Sequence, residues 1–168
     1  MKKILLYTAF LLVGIAAGTL GANDAATAEE APAAMAHHLV VQTGDIAWGP
    51  IPPKFPAGGE IAVLQGDPFS EGFYVVRVRM PDGYRILPHW HPTAENVTVI
   101  SGTIHIAAGD AFDKKAGDAV KAGGYVSLPG LMHHFAWAEG ATEIQIHGIG
   151  PFAIYYLNPA DDPSHTQK

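Results

Sequence analysis

Cysteine is absent from all 168 residues. With it go disulfide scaffolds, thiolate metal sites and a lipid anchor on cysteine, so stability has to come from packing and any metal has to be held by nitrogen and oxygen. Basic residues are few: 10 Lys and Arg stand against 16 Asp and Glu, a formal net charge of -6 with no basic cluster. That composition removes the electrostatic basis for binding nucleic acid. Long apolar runs are missing as well, except at the start, where Lys2 and Lys3 precede a largely apolar stretch from Ile4 to Val13 and then small residues. This is the three-part layout of a secretory signal peptide, expected over 1–22 with cleavage between Gly18 and Ala28. The run is shorter than the roughly 20 residues of a membrane helix, which predicts no stable membrane insertion after cleavage. Residues 23–36, an Ala, Glu and Pro mixture, read as a flexible leader.

Helical periodicity is also lacking after His37. What is there instead is a succession of short runs rich in β-branched and aromatic residues, at 38–42, 60–65, 73–80, 96–100, 103–108, 125–128, 134–138, 142–149 and 152–157. Gly- and Pro-bearing turns such as GDP, PDG, SG, AGG, PG and EG separate them. The pattern predicts one all-β domain over 37–160, a sandwich or barrel, followed by a tail over 161–168. Four prolines within 48–59 predict an extended arm lying on the sheet rather than a central strand.

Within GYRILPHWHPTAENVTVISG, residues 83–102, two histidines and a glutamate stand at positions that share one face of a strand. His89, His91 and Glu95 form a borderline N/O ligand set suited to Zn, Mn, Fe, Ni or Cu. A fourth ligand is offered by GGYVSLPGLMHHFAWA, residues 123–138, where His134 follows Pro129 by five positions. Its neighbour His133 competes, but adjacent strand residues face opposite ways and only one can enter the site.

At these residues the chain resembles the cupin superfamily. Gly83, His89, His91, Glu95 and Gly102 meet every position of the first cupin motif, G(X)5HXH(X)3-4E(X)6G. Gly123, Pro129 and His134 meet the second in part: Leu131 stands where the inner glycine belongs, Gly130 comes one place early, and Ala138 replaces the asparagine. The resemblance implies a single cupin double-stranded β-helix, a small jelly-roll-like barrel, with His89, His91, Glu95 and His134 around one divalent transition metal. Such a site leaves room for a small-molecule substrate, or for substrate and dioxygen. It also implies a homodimer built from edge strands, with the arm at 48–59 as the candidate contact.

Gln145 and His147 share a face of a late strand and are candidates for positioning a substrate or relaying a proton there, with packing as the plain alternative. His105 reads as structural. Arg77 and Arg79 either meet an anionic substrate or form a solvated outer face. Phe135, Trp137, Tyr155 and Tyr156 read as core or interface. Without a twin-arginine pair the chain is expected to cross the membrane unfolded and to gain its metal in the periplasm or medium, where affinity order favours copper and zinc. The function expected is an exported metal-dependent oxidoreductase, dioxygenase-like, acting on a small organic molecule. The alternatives are a non-catalytic module that binds a small ligand or metal, and a metal-dependent isomerase or lyase.

Overall fold

The computed structural model describes residues 38–165; the expected signal peptide and leader, His37 and residues 166–168 lie outside the described residues. Alternating apolar and polar positions set nine strands: β1 (Gly49–Pro50), β2 (Glu60–Gln65), β3 (Gly72–Met80), β4 (Arg85–Trp90), β5 (Glu95–Ala108), β6 (Asp118–Lys121), β7 (Tyr125–Leu128), β8 (His134–Gly150) and β9 (Tyr155–Tyr156). Every pairing is antiparallel. β5 and β8 run beside each other along most of their length. On its other edge β8 pairs with β4 through its first half and with β3 through its second. One pair of long strands therefore serves both layers, and the sheet curls into the small barrel that the resemblance implies.

The curl needs a corner, and it lies where Ser101 and Gly102 of β5 pass the stretch of β8 between Glu139 and Glu143, with register shifts on both sides of Ser101. Gly102 has φ 75°, and a Cβ there would come within 2.5 Å of the Ala141 carbonyl oxygen. Both facts restrict the position to glycine. Thr142 fastens the corner: its Oγ1 accepts from the Thr103 N–H at 3.2 Å and donates to the Thr103 carbonyl at 3.0 Å.

Inside, Tyr74, Val76, Val78 and Met80 of β3 face Ile144 and Ile146 of β8 and Val97, Val99, Ile104 and Ile106 of β5. Burying each such aliphatic side chain is worth about 1.5–3 kcal/mol, so a one-residue slip that turned a strand inside out would be prohibitive. A second cluster, Ala107, Phe135, Trp137 and Phe112, packs on its own.

Several expected elements differ. The SG and EG dipeptides turn corners within β5 and β8 instead of ending hairpins, so four expected runs form two strands. Residues 38–42 form no strand, and Leu39 and Val40 stay about three-fifths exposed, at 61% and 62%. β6, whose sequence DAVK carries no aromatic residue, was not expected. The arm joins the sheet only through β1 at its edge. Beyond β1 its Ile51, Pro52 and Phe55 line the barrel's cavity, and it is held by Tyr84 Oη donating to the Pro56 carbonyl at 2.6 Å and Tyr156 Oη donating to the Lys54 carbonyl at 3.0 Å. No helix among the described residues is long and apolar enough to cross a membrane.

Candidate metal centre

His89 lies in β4, His91 just after it, Glu95 at the start of β5 and His134 at the start of β8. Two prolines shape this approach. Pro88 has no N–H to give to the ladder, and beside it the β4–β8 register shifts, from Ile86 opposite Ala136 to His89 opposite His134. That bulge re-aims His89 inward. Pro92 then ends β4 and lets the chain turn so that His91 and Glu95 arrive at the same place. The three imidazoles offer nitrogens within 4.8 Å of one another, and the Glu95 Oε2 lies 3.6 Å from both His91 Nε2 and His134 Nε2. All four residues are buried, at 8% exposure or less.

Their tautomers follow from the backbone. His89 Nδ1 lies 2.7 Å from the Leu87 carbonyl, His91 Nδ1 2.8 Å from the Ala153 carbonyl and His134 Nδ1 2.9 Å from the Met132 carbonyl. A carbonyl only accepts, so each Nδ1 carries the proton and each Nε2 keeps a lone pair. Those lone pairs point toward one another, and His134 Nε2 is buried without any partner. Burial, with His134 and His91 beside it, lowers the His89 pKa to about 3, and burial likewise lowers that of His91. Burial works against ionising Glu95, and attraction to His91, His134 and His89 lowers its carboxyl to about 2, a pull that requires a proton on the histidines. With the histidines neutral, the Glu95 carboxylate is one anion without a counter-charge in a cavity that no Lys or Arg lines. An uncompensated buried carboxylate is strongly disfavoured. A divalent cation would remove the imbalance and satisfy the orphaned nitrogen, so the donor set fits a metal ion.

The cavity has a free volume of about 60 Å³. At roughly 15 Å³ per water it would take about four such molecules. Aliphatic side chains wall it, and Ile51, Pro52 and Phe55 of the arm close one side. Phe152 stacks on the His91 ring at 4.5 Å and on Phe55 at 6.3 Å.

Over residues 36–153 the sequence matches the family described as the ChrR Cupin-like domain, Cupin_7. The chain belongs to that cupin family. No functionally curated protein matches it. Among solved structures, this cupin is similar to the polyketide cyclase RemF from Streptomyces resistomycificus, with TM-score 0.63, 13% identity and coverage of 77% of this chain and 92% of that one. A candidate acetylacetone dioxygenase from Methylibium petroleiphilum PM1 aligns with TM-score 0.59, 20% identity and coverage of 77% and 88%. Oxalate decarboxylase from Lactobacillus farciminis aligns with TM-score 0.53, 19% identity and coverage of 74% and 37%. At these identities the likenesses establish the fold.

The cupin's departures in its second motif have a structural answer. Leu131 adopts φ 65°, the left-handed conformation, so the backbone keeps the turn although the residue is not glycine. Gly130 is needed for a different reason: a Cβ there would lie 2.8 Å from the Pro92 carbonyl oxygen. Ala138 packs in the core and pairs its backbone with Gly83 and Tyr84.

Gln145 and His147 are not brought to the cavity. On β8 they alternate with Ile144 and Ile146, which line it, and so they point to the outer face. There Gln145 Oε1 accepts from Arg77 Nε at 3.2 Å, and the His147 ring lies between Phe73 and Tyr125. The expectation that they handle substrate in the pocket is corrected by strand parity. Arg77 and Arg79 share that outer face and pair with Glu143 at 3.1 Å. His133 pairs with Asp110 outside, as the competition with His134 required, and His105 stacks on Trp137 while pairing with Glu139. Sequence reading missed Tyr74, Phe55 and Phe152 around the cavity. The alternation of FYVVRVRM placed Tyr74 with Val76 and Val78 and could have flagged a phenol in the core.

Proposed function

We propose that this protein is an exported, metal-dependent cupin oxidoreductase of the dioxygenase type, acting on a compact organic molecule. The observation that carries the proposal is the convergence of three backbone-locked imidazoles and Glu95 with His134 Nε2 lacking a partner. His89, His91, His134 and Glu95 would hold the ion, which when bound supplies a Lewis-acidic or redox centre. The backbone carbonyls at Leu87, Ala153 and Met132 fix the ring tautomers. The aliphatic walls accept apolar species, dioxygen among them. They offer no acid or base beyond the cluster and Tyr74. Isomerase or lyase chemistry would have only Glu95 and Tyr74 to carry a proton, since Gln145 and His147 face outward.

Location outside the cytoplasm is inferred from the N-terminal sequence, and a homodimer is kept as part of the proposal; light scattering reads its mass. The central test measures metal by plasma mass spectrometry in protein purified from its natural compartment, then oxygen uptake with small carbonyl compounds. About one metal per chain is expected in the wild type, and His134→Ala should weaken metal affinity by more than about 100-fold. Full metal retention by His134→Ala would overturn the assignment. Turnover without oxygen uptake would move the protein to the isomerase or lyase class.

A further inference from the structure

Two side-chain hydroxyls among the described residues are buried without a partner, Thr93 Oγ1 and Tyr74 Oη, and only Tyr74 lines the cavity. Its residue is 1% exposed, and leaving such a donor unsatisfied is unfavourable for the fold. Room has been kept for it. Tyr74 pairs with Gly148 across β3 and β8, and a Cβ at 148 would come within 3.1 Å of both Tyr74 Oη and the Ala94 carbonyl oxygen. Glycine there lets the phenol lie across β8 at the Glu95 end of the cavity, where the Phe152 ring meets it edge-on at 6.0 Å. Burial and the Glu95 charge both push the Tyr74 pKa upward, which keeps the oxygen protonated and a donor. By contrast, the other buried core tyrosine, Tyr84, donates to the Pro56 carbonyl at 2.6 Å.

We propose that Tyr74 is a ligand-positioning residue, its O–H donating to an oxygen of a small aliphatic monoanion, such as a short carboxylate or the enolate of a small ketone. This rests on the metal reading above for the ligand's other anchor. A divalent ion and the Glu95 carboxylate leave one positive charge, which one negative charge balances. A second charge would have to be desolvated against aliphatic walls such as Val76, Ile106 and Ile146, with no Lys or Arg to receive it. The free volume suits a body of about five heavy atoms.

Propionate is the probe, titrated calorimetrically into zinc-loaded wild type, Tyr74→Phe and Tyr84→Phe, with zinc content and Tm measured for each. Tyr74→Phe should keep its zinc, show a Tm equal to or above wild type, and bind propionate about 10- to 100-fold more weakly. Tyr84→Phe should lose roughly 3–6 °C in Tm through its broken hydrogen bond and, since that bond also holds the arm beside the cavity, lose less propionate affinity than Tyr74→Phe does. Unchanged propionate affinity in Tyr74→Phe, or a lowered Tm showing that the hydroxyl serves the fold, would overturn the inference. So would an equal loss of affinity in Tyr84→Phe. Wild type that takes up zinc but no propionate overturns this inference alone; wild type that takes up no zinc overturns the metal reading, and this one falls with it.

Discussion

Leu131 shows how a single residue can depart from a motif while the backbone obeys it. A left-handed φ costs an ordinary L-residue about 1–2 kcal/mol, and its side chain, 65% exposed, recovers little of that by packing. Leu131→Gly is therefore expected to stabilise the protein, by up to about 1 kcal/mol after the entropy lost by glycine. Urea unfolding would measure it, and a clear loss of stability would show that Leu131 makes contacts that matter more than its backbone strain. At the same scale, the histidines carry a pH signature. The folded pKa of His89, about 3, lies below its ordinary value of 6.5, so between those values the unfolded chain binds a proton that the folded one refuses. Metal-free protein should accordingly be unaffected by this group above pH 6.5 and lose stability as pH falls toward 3, by up to about 1.4 kcal/mol per pH unit. A flat stability profile from pH 7 to 4 would show that the imidazoles are not held neutral.

Among the elements, β4 decides the site. Its parity would put Ile86, Pro88 and Trp90 on one face and His89 on the other, and the irregularity beside Pro88 reverses that so that Ile86 and His89 both line the cavity. Deleting Pro88 removes the extra residue and leaves Ile86 and His89 two apart, on the same inward face of a regular strand. The expected result is that His89 stays in the cavity and zinc is still bound, with the β circular-dichroism signal kept. Loss of zinc would show that the bulge itself, and not only the parity it creates, aims the imidazole. The same irregularity explains what sequence reading could and could not see: simple alternation put His89, His91 and Glu95 together, but they meet through a bulge and a proline turn, neither of which alternation describes. Gln145 and His147 went the other way. Their strand is regular, so parity alone governs them, and the inward parity belonged to Ile144 and Ile146.

For the whole molecule, the candidate metal centre brings together three strands that are distant in sequence, β4, β5 and β8, at one cavity. Binding there should stabilise the fold by mass action: at a free metal concentration about 100 times Kd the gain is about 2.7 kcal/mol, on the order of 10 °C in Tm. Differential scanning calorimetry with and without a chelator reads this directly, and coincident transitions would remove any structural role for the ion. The place of the arm is a tertiary matter too. It carries Phe55 to the cavity of its own barrel, and the stack of Phe55, Phe152 and His91 joins the arm to the histidine cluster.

The amino-acid order alone determined the all-β class, the cupin family and the four residues that meet at the centre. Each of these depends on local periodicity or on fixed spacing along the chain. Only the folded molecule decided that the SG and EG dipeptides turn corners, that the arm lines the cavity, that Gln145 and His147 look outward, and that Tyr74 brings an unsatisfied donor to the cavity. These depend on which strands become neighbours and on where backbone carbonyls fall, and no spacing along one chain contains that information.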